Sequence, residues 1–211
     1  MKMGLDFSYL LFFDRCARFT VLEHLAEMAE FNLERQTSLI FPDHVMSLPF
    51  EGWVDTGRRL HWDDPSPTWE FMTVLRFEVD KAIADYLDRR ASDSGAPHAS
   101  KEDKRPEMAG IGYIYLTVYN DLAAFSQDAA DPDLVLFQFG TPGTSMSILF
   151  TESSAIRQAF IRLLETCQGV VGLLDMEDEA EVIWFRGREV SVRIPHAYLS
   201  FAEIEAYLGD S

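Results

Sequence analysis

Residues 134–167 read LVLFQFGTPGTSMSILFTESSAIRQAFIRLLETC. The apolar run Leu134–Phe139, broken once by Gln138, is separated from Ser145–Phe150 by five turn-type residues, Gly140 to Thr144. Two such runs flanking a short Gly- and Pro-containing stretch predict a β-hairpin. In the second run Met146, Ile148 and Phe150 alternate with Ser145 and Ser147, giving one apolar and one mostly polar strand face. Thr151, Ser153 and Ser154 then offer N-cap oxygens. Behind them Ile156, Ala159, Phe160, Leu163, Leu164 and Cys167 fall on one stripe at helical spacing. A hairpin leading into an amphipathic helix predicts an α+β layer.

Toward the C-terminus, Val170 to Leu174 reads as a short buried strand, and the acidic run Asp175, Glu177, Asp178, Glu179 and Glu181 follows it. Val182–Phe185 and Val190–Ile194 pair across Arg186-Gly187-Arg188 as a tight hairpin, and Pro195 stops the ladder. Ser200 with Glu203 forms a capping box for a last helix carrying Phe201, Ile204, Tyr207 and Leu208.

Toward the N-terminus, Leu5, Phe7, Tyr9, Leu11 and Phe13 alternate along a strand whose later half is apolar on both faces. Thr20 with Glu23 predicts a second capping box, ahead of a helix with Val21, Leu22, Leu25, Met28 and Ala29 inward. Leu39–Phe41 and Val45–Phe50 predict a hairpin across Pro42-Asp43-His44. From Glu51 to Thr68 periodicity vanishes in a loop holding Trp53 and Trp62. Phe71 to Val79 is a strand, Asp80 caps a helix with Ile83, Tyr86 and Leu87 inward, and Ile111 to Tyr119 is a strand bearing Tyr113, Tyr115 and Tyr119. Asp121 to Asp133 is a loop with a helical turn at Leu122–Phe125.

The order strand, helix, hairpin thus occurs at Phe7–Phe50 and again at Met146–Ile194. The expectation is an α+β protein of two ferredoxin-like units, with helices on one face of a mostly antiparallel sheet and an internal duplication as one account of the repeat. The units are residues 1–90 and 110–211, packed separately or as one domain. Residues 91–109, rich in Ser, Asp, Lys, Gly and Pro, read as a flexible linker or loop between them.

The charge is the compositional outlier. Thirty-five acids against 18 Lys and Arg give a net charge of −17 over 211 residues. Residues 106–156 contain no Lys or Arg, and the second half, 106–211, has 16 acids to 5 bases. Such a surface repels nucleic acid and anionic lipid, whose phosphates need Lys and Arg, and suits a basic protein partner. Without any run of about 18 apolar residues, the sequence predicts no membrane span. Asp6 interrupts what would be a signal peptide's apolar region. Cys16 and Cys167, far apart and without metal-type spacing, read as reduced thiols of a cytoplasmic protein.

No Gly-x-Gly-x-x-Gly, Walker-type loop, His-Glu-x-x-His or nucleophile elbow occurs. The glycines of Gly140–Thr144 have no lysine beside them to hold a phosphate. His61 with Asp63 and Asp64 fits no ligand spacing, and the acidic run lacks the glycine and spacing of an EF-hand, so neither a metal nor a cofactor is expected. An enzyme or small-molecule site would have to be assembled near residues 52–69, from His61, Asp63, Asp64 and the tyrosines of the 111–119 strand. A purely structural domain is a further alternative.

The opening Leu5-Asp6-Phe7-Ser8-Tyr9-Leu10-Leu11-Phe12-Phe13, with Phe41-Pro42-Asp43-His44 and Leu48-Pro49-Phe50, resembles a group of uncharacterised bacterial proteins opening Asp-Tyr-Ser-Tyr-Leu-Leu-x-Phe. That resemblance covers about the first fifty residues, implies a bacterial α+β protein and carries no activity with it. The strongly acidic, medium-sized α+β character also looks like that of immunity proteins, which neutralise basic toxins. The expected function is therefore a non-catalytic module that binds a basic protein. Its contact residues are the interface-type aromatics Trp53, Trp62 and Trp69 and the acids Asp175, Glu177, Asp178, Glu179 and Glu181.

Overall fold

The computed structural model describes residues 5–32, 34–53, 56–93, 106–126 and 131–209. The first half contributes β1 (Ser8–Asp14), α1 (Arg18–Met28), β2 (Thr37–Ile40), β3 (Val45–Leu48), β4 (Glu51–Gly52), β5 (Arg59–His61), β6 (Thr68–Thr73), β7 (Arg76–Glu78) and α2 (Lys81–Asp93). The second half contributes β8 (Met108–Gly110), β9 (Ile114–Tyr119), β10 (Leu134–Gly140), α3 (Thr144–Glu152), α4 (Ser154–Thr166), β11 (Val171–Asp175), β12 (Ala180–Phe185), β13 (Arg188–Ile194) and α5 (Phe201–Gly209).

Eight strands form one antiparallel sheet in the order β13-β12-β11-β1-β10-β9-β6-β4. The position of β1 at its middle follows from its side chains: Tyr9, Leu10, Leu11, Phe12 and Phe13 are all buried. A strand apolar on both faces is stable only where both faces are covered. Period-two alternation sends Tyr9, Leu11 and Phe13 to one face, against residues of α1, α2, α3 and α4. Leu10 and Phe12 go to the other face, against Ile204, Phe201 and Leu208 of α5. At the centre of the first core Phe160 of α4 lies 4.6 Å from the ring of Tyr9, 4.7 Å from Phe139 and 5.9 Å from Phe77.

The α4 reading holds in detail. All six residues of its stripe are buried, and Ser153 Oγ accepts the Ile156 amide at 3.1 Å as N-cap. The Ser200–Glu203 capping box is also present: the Ser200 amide donates to Glu203 Oε2 at 2.8 Å, and the Glu203 amide donates to Ser200 Oγ at 3.4 Å. The hairpins at β2–β3 and β12–β13 form in the expected places, the second turning through Arg186 and Gly187 at φ of 45° and 88°.

Five expectations are corrected. The segment expected to be the second strand of a hairpin, Ser145–Phe150, lies in helix α3. Met146, Leu149 and Phe150 are buried at i, i+3 and i+4, a spacing that outweighs the alternation because Leu149 sits where a strand needed a polar residue. The repeat expected to open on a strand at Met146 therefore opens on a helix. Thr20 is not a cap: α1 begins at Arg18 after a 3-10 turn at Arg15–Ala17, placing Thr20 within its first turn. The loop of residues 51–68 contains β4 and β5, and β5 runs parallel to β2 in a small separate sheet ordered β3-β2-β5. The helices do not share one face, since among the described residues α5 packs on the second and α1 to α4 on the first. Of the expected linker, residues 94–105 lie outside the described residues, while 91–93 complete α2 and Met108–Gly110 pairs with β7.

The main sheet mixes strands of both expected units, with β1 inserted between β10 and β11. Cys16 is exposed and Cys167 buried, and both are free thiols. Among the described residues no helix is long and apolar enough to cross a membrane.

Candidate functional site

The described residues cover the second face of the sheet over only part of its area. Helix α5, with Leu122 and Ala197, seals Leu10, Phe12, Leu136, Val171, Val182 and Ile194. Beyond that cover, strand register lines up Asp175, Ser8, Gly140, Tyr115, Met72 and Glu51 across six strands. At ~4.8 Å between neighbouring strands this row spans about 24 Å. Gln138, Thr117 and Glu70 stand in the next row on the same face. The side chains are tied laterally: the Tyr119 hydroxyl donates to Gln138 Oε1 at 3.0 Å, and Gln138 Nε2 donates to Ser8 Oγ at 3.4 Å.

Above these rows lies an open groove of about 490 Å³, lined among others by Asp6, Tyr115, Thr117, Gln138, Gly140 and Thr144. Among the described residues none that lines it is Lys or Arg. One wall is built by hydrogen bonds from the start of α3: the Leu5 amide donates to Thr144 Oγ1 at 3.1 Å, and Ser147 Oγ donates to the Leu5 carbonyl at 2.8 Å.

The two ends of the groove differ. At one end Trp53 packs on Tyr115, ring centroids 5.0 Å apart, and remains 40% exposed. Its place is set by Gly52, where a Cβ would lie 1.7 Å from the Gly57 carbonyl oxygen, so only glycine fits. Buried Thr37 accepts the Gly52 amide at 3.0 Å and donates to the Phe50 carbonyl at 2.9 Å, and the Trp53 amide donates to the Glu70 carbonyl at 2.8 Å. At the other end three acids converge. The Asp6 amide donates to Glu177 Oε1 at 2.8 Å, and the Glu177 amide donates to Asp175 Oδ1 at 3.1 Å. Burial, helped by the charges of Glu177 and Asp6, holds the Asp175 carboxyl above the usual aspartate range, against the opposing hydrogen bond from the Glu177 amide and the weaker pull of His196.

The expected contact residues divide accordingly. Trp53 lies at one end of this face, and Asp175 and Glu177 at the other. Trp62 is 39% exposed beside the small sheet, and its carbonyl accepts from Arg18 Nη2 at 2.9 Å. Trp69 is fully buried, with the Arg18 guanidinium 4.4 Å from its ring, so its surface faces the interior. Burial, and then the neighbouring charge of Arg15, lowers the Arg18 guanidinium to about 10. Glu179 pairs with Arg193, and Glu181 with Arg157 at 2.9 Å. Asp178 is exposed in the β11–β12 turn.

His61 and Asp63 are exposed at the end of the small sheet, whereas Tyr115 and Tyr119 belong to the main one. The Asp64 carboxylate is held below its usual range chiefly by hydrogen bonds from Ser66. Among the described residues no three His, Cys, Asp or Glu side chains are grouped to hold a metal ion.

Ser8, Glu70, Thr117 and Gln138 were missed by sequence reasoning. Their only signal was the lone polar residue inside an apolar run, as Gln138 interrupts Leu134–Phe139. No protein-family model, curated protein or solved structure matches the chain.

Proposed function

We propose that this chain is a protein-binding module whose groove receives a Lys- and Arg-bearing segment of another protein. The observation that supports it best is the part of the sheet's second face that the described residues leave open, with Asp6, Asp175 and Glu177 at one end, Trp53 and Tyr115 at the other, and no Lys or Arg among the described residues lining the groove. A basic side chain docking beside Asp175 would offset the burial, and with it the neighbouring acids, that raise its carboxyl, so the partner's charge favours the bound state directly. Trp53 on Tyr115 offers a flat aromatic anchor of the kind enriched at binding hot spots, and a platform for a guanidinium. The net charge of −17 adds long-range steering, which fades as salt screens it. In type this is the arrangement of an acidic inhibitor of a basic protein, such as an immunity protein.

The test is capture from the native host at about 50 mM and about 500 mM salt, straddling the range over which screening shortens the Debye length from ~14 to ~4 Å. A basic protein recovered at low salt, lost at high salt and lost with Trp53→Ala or with Asp6→Asn/Glu177→Gln is the expected result. Recovery unchanged by both groove variants, or no partner at low salt, overturns the reading.

A further inference from the structure

Strand β13 closes one end of the main sheet, and among the described residues its only ladder is to β12. The opposite end is β4, two residues long and too short to recruit another strand. The β13 edge is seven residues long, from Arg188 to Ile194. Its side chains alternate, and its ladder to β12 shifts register by one residue between Val182, opposite Val192, and Trp184, opposite Glu189. Glu189, Ser191 and Arg193 project toward the α4 face, where Ser191 Oγ meets Glu181 and Glu189 meets Gln158. Val190 and Val192 project toward the second core, Val192 standing opposite Val182.

The sequence of this edge is complementary to itself when reversed about Ser191. We propose that β13 is a dimerisation strand, pairing antiparallel with β13 of a second copy about a twofold axis at Ser191. In that register Val190 faces Val192 of the second copy and Glu189 faces Arg193 of the second copy, each contact occurring twice by symmetry. Directly opposed residues on one face of an antiparallel pair lie ~4.5–5.5 Å apart, within reach of an ion pair. Registers centred on Glu189 or Arg193 would oppose like charges, and those centred on Val190 or Val192 leave both charges unmatched. The charges that protect an edge strand from indiscriminate pairing here admit one register and one partner.

The present partners of these charges do not lock them. The Glu189 side chain is 49% exposed and only 4.0 Å from Arg157, and the Arg193 side chain is 66% exposed in its pair with Glu179. Exposed pairs of this kind are weak and re-form easily. The surface is separate from the groove, which lies across β1, β9 and β10.

Sedimentation velocity at about 0.15 M salt, where charge repulsion between copies is screened beyond ~8 Å, tests this. A seven-residue edge is small beside the ~1,200–2,000 Å² of standard interfaces, so the mass should rise with concentration over the micromolar range. The expected course runs from 24.1 kDa toward twice that value. Arg193→Glu and Glu189→Arg should each weaken association at least tenfold, and the double exchange Glu189→Arg/Arg193→Glu should restore it. Trp53→Ala should leave it unchanged. Circular dichroism identifies any variant that fails to fold, and the other single variant then supplies the comparison. A wild-type protein at 24.1 kDa up to about 200 µM, single variants that associate as well as wild type, or a folded double exchange that stays monomeric would each overturn the proposal.

Discussion

Asp80 Oδ2 lies 2.9 Å from Ser153 Oγ, joining the N-termini of two helices 73 positions apart. The same carboxylate accepts the Ile83 amide at 2.9 Å through Oδ1 and the Ala155 amide at 3.0 Å through Oδ2, so one side chain caps both α2 and α4. Burial opposes the charge, but the hydrogen bonds from Ile83, Ala155, Ser153 and Ser154 outweigh it and hold Asp80 below the ordinary aspartate range. Asp80→Ala should cost about 2–3 kcal/mol, the sum of two caps. Because the folded pKa is depressed, this contribution is present above the unfolded value of about 3.9 and is lost as pH falls through the folded one. Urea unfolding of wild type and variant at pH 7 and below pH 4 should show the gap closing. A gap independent of pH would show that the charge plays no part.

Phe160 contacts Tyr9, Phe139 and Phe77, from three separate strands, and is fully buried. Truncation leaves a cavity that its neighbours, fixed by backbone ladders, cannot fill. Phe160→Ala should therefore destabilise by about 3–5 kcal/mol. Thermal unfolding followed in the near ultraviolet checks this, and a loss under about 1 kcal/mol would mean that the core repacks around the site.

The two thiols should separate by reactivity. Cys16 is exposed, while burial pushes Cys167 up to about 11. A chromogenic thiol reagent at pH 8 should modify one cysteine quickly in the native protein and the second only on unfolding, because the thiolate is the reacting species. Two fast thiols would contradict the burial of Cys167.

Asp175 should behave in the opposite sense to Asp80. Its folded pKa is raised, so its charge weighs against the native state at neutral pH, and stability is regained as pH falls through the folded pKa toward the unfolded value. Asp175→Asn keeps an oxygen for the Glu177 amide and removes the charge. The variant should be more stable than wild type at pH 7 and equal to it near pH 3, while binding the basic partner less well. Equal stability at pH 7 would show that neither burial nor the neighbouring acids penalise the Asp175 charge measurably.

Where one element carried its own signal, the sequence was legible. The double-sided apolar run of β1, the stripe of α4 and the Ser200–Glu203 box all appear in place, because each signal is local and agrees with its burial. The strand expected at Ser145–Phe150 failed because six residues are too few to separate period two from period 3.6. Trp69 was legible as an aromatic and not as a core residue, since only the sheet decides which way a strand's alternate positions face. The groove was least visible of all. Ser8, Tyr115, Gln138 and Asp175 come from four strands and meet only through register, which the sequence of any single strand does not contain.

The insertion of β1 between β10 and β11 also sets a timetable for the ribosome. Its partners on β10 are encoded 120 positions after Asp14 and 132 after Ser8, and those on β11 later still. At ~5–20 residues per second, β1 waits on the order of ten seconds after synthesis before either neighbour exists. Throughout that interval the run Tyr9-Leu10-Leu11-Phe12-Phe13 is uncharged and free of proline, the composition that holdase chaperones shelter and aggregates recruit. Nascent chains stalled before β11 emerges should stay protease-sensitive at β1, and protection should arrive in one step once both neighbours have left the exit tunnel.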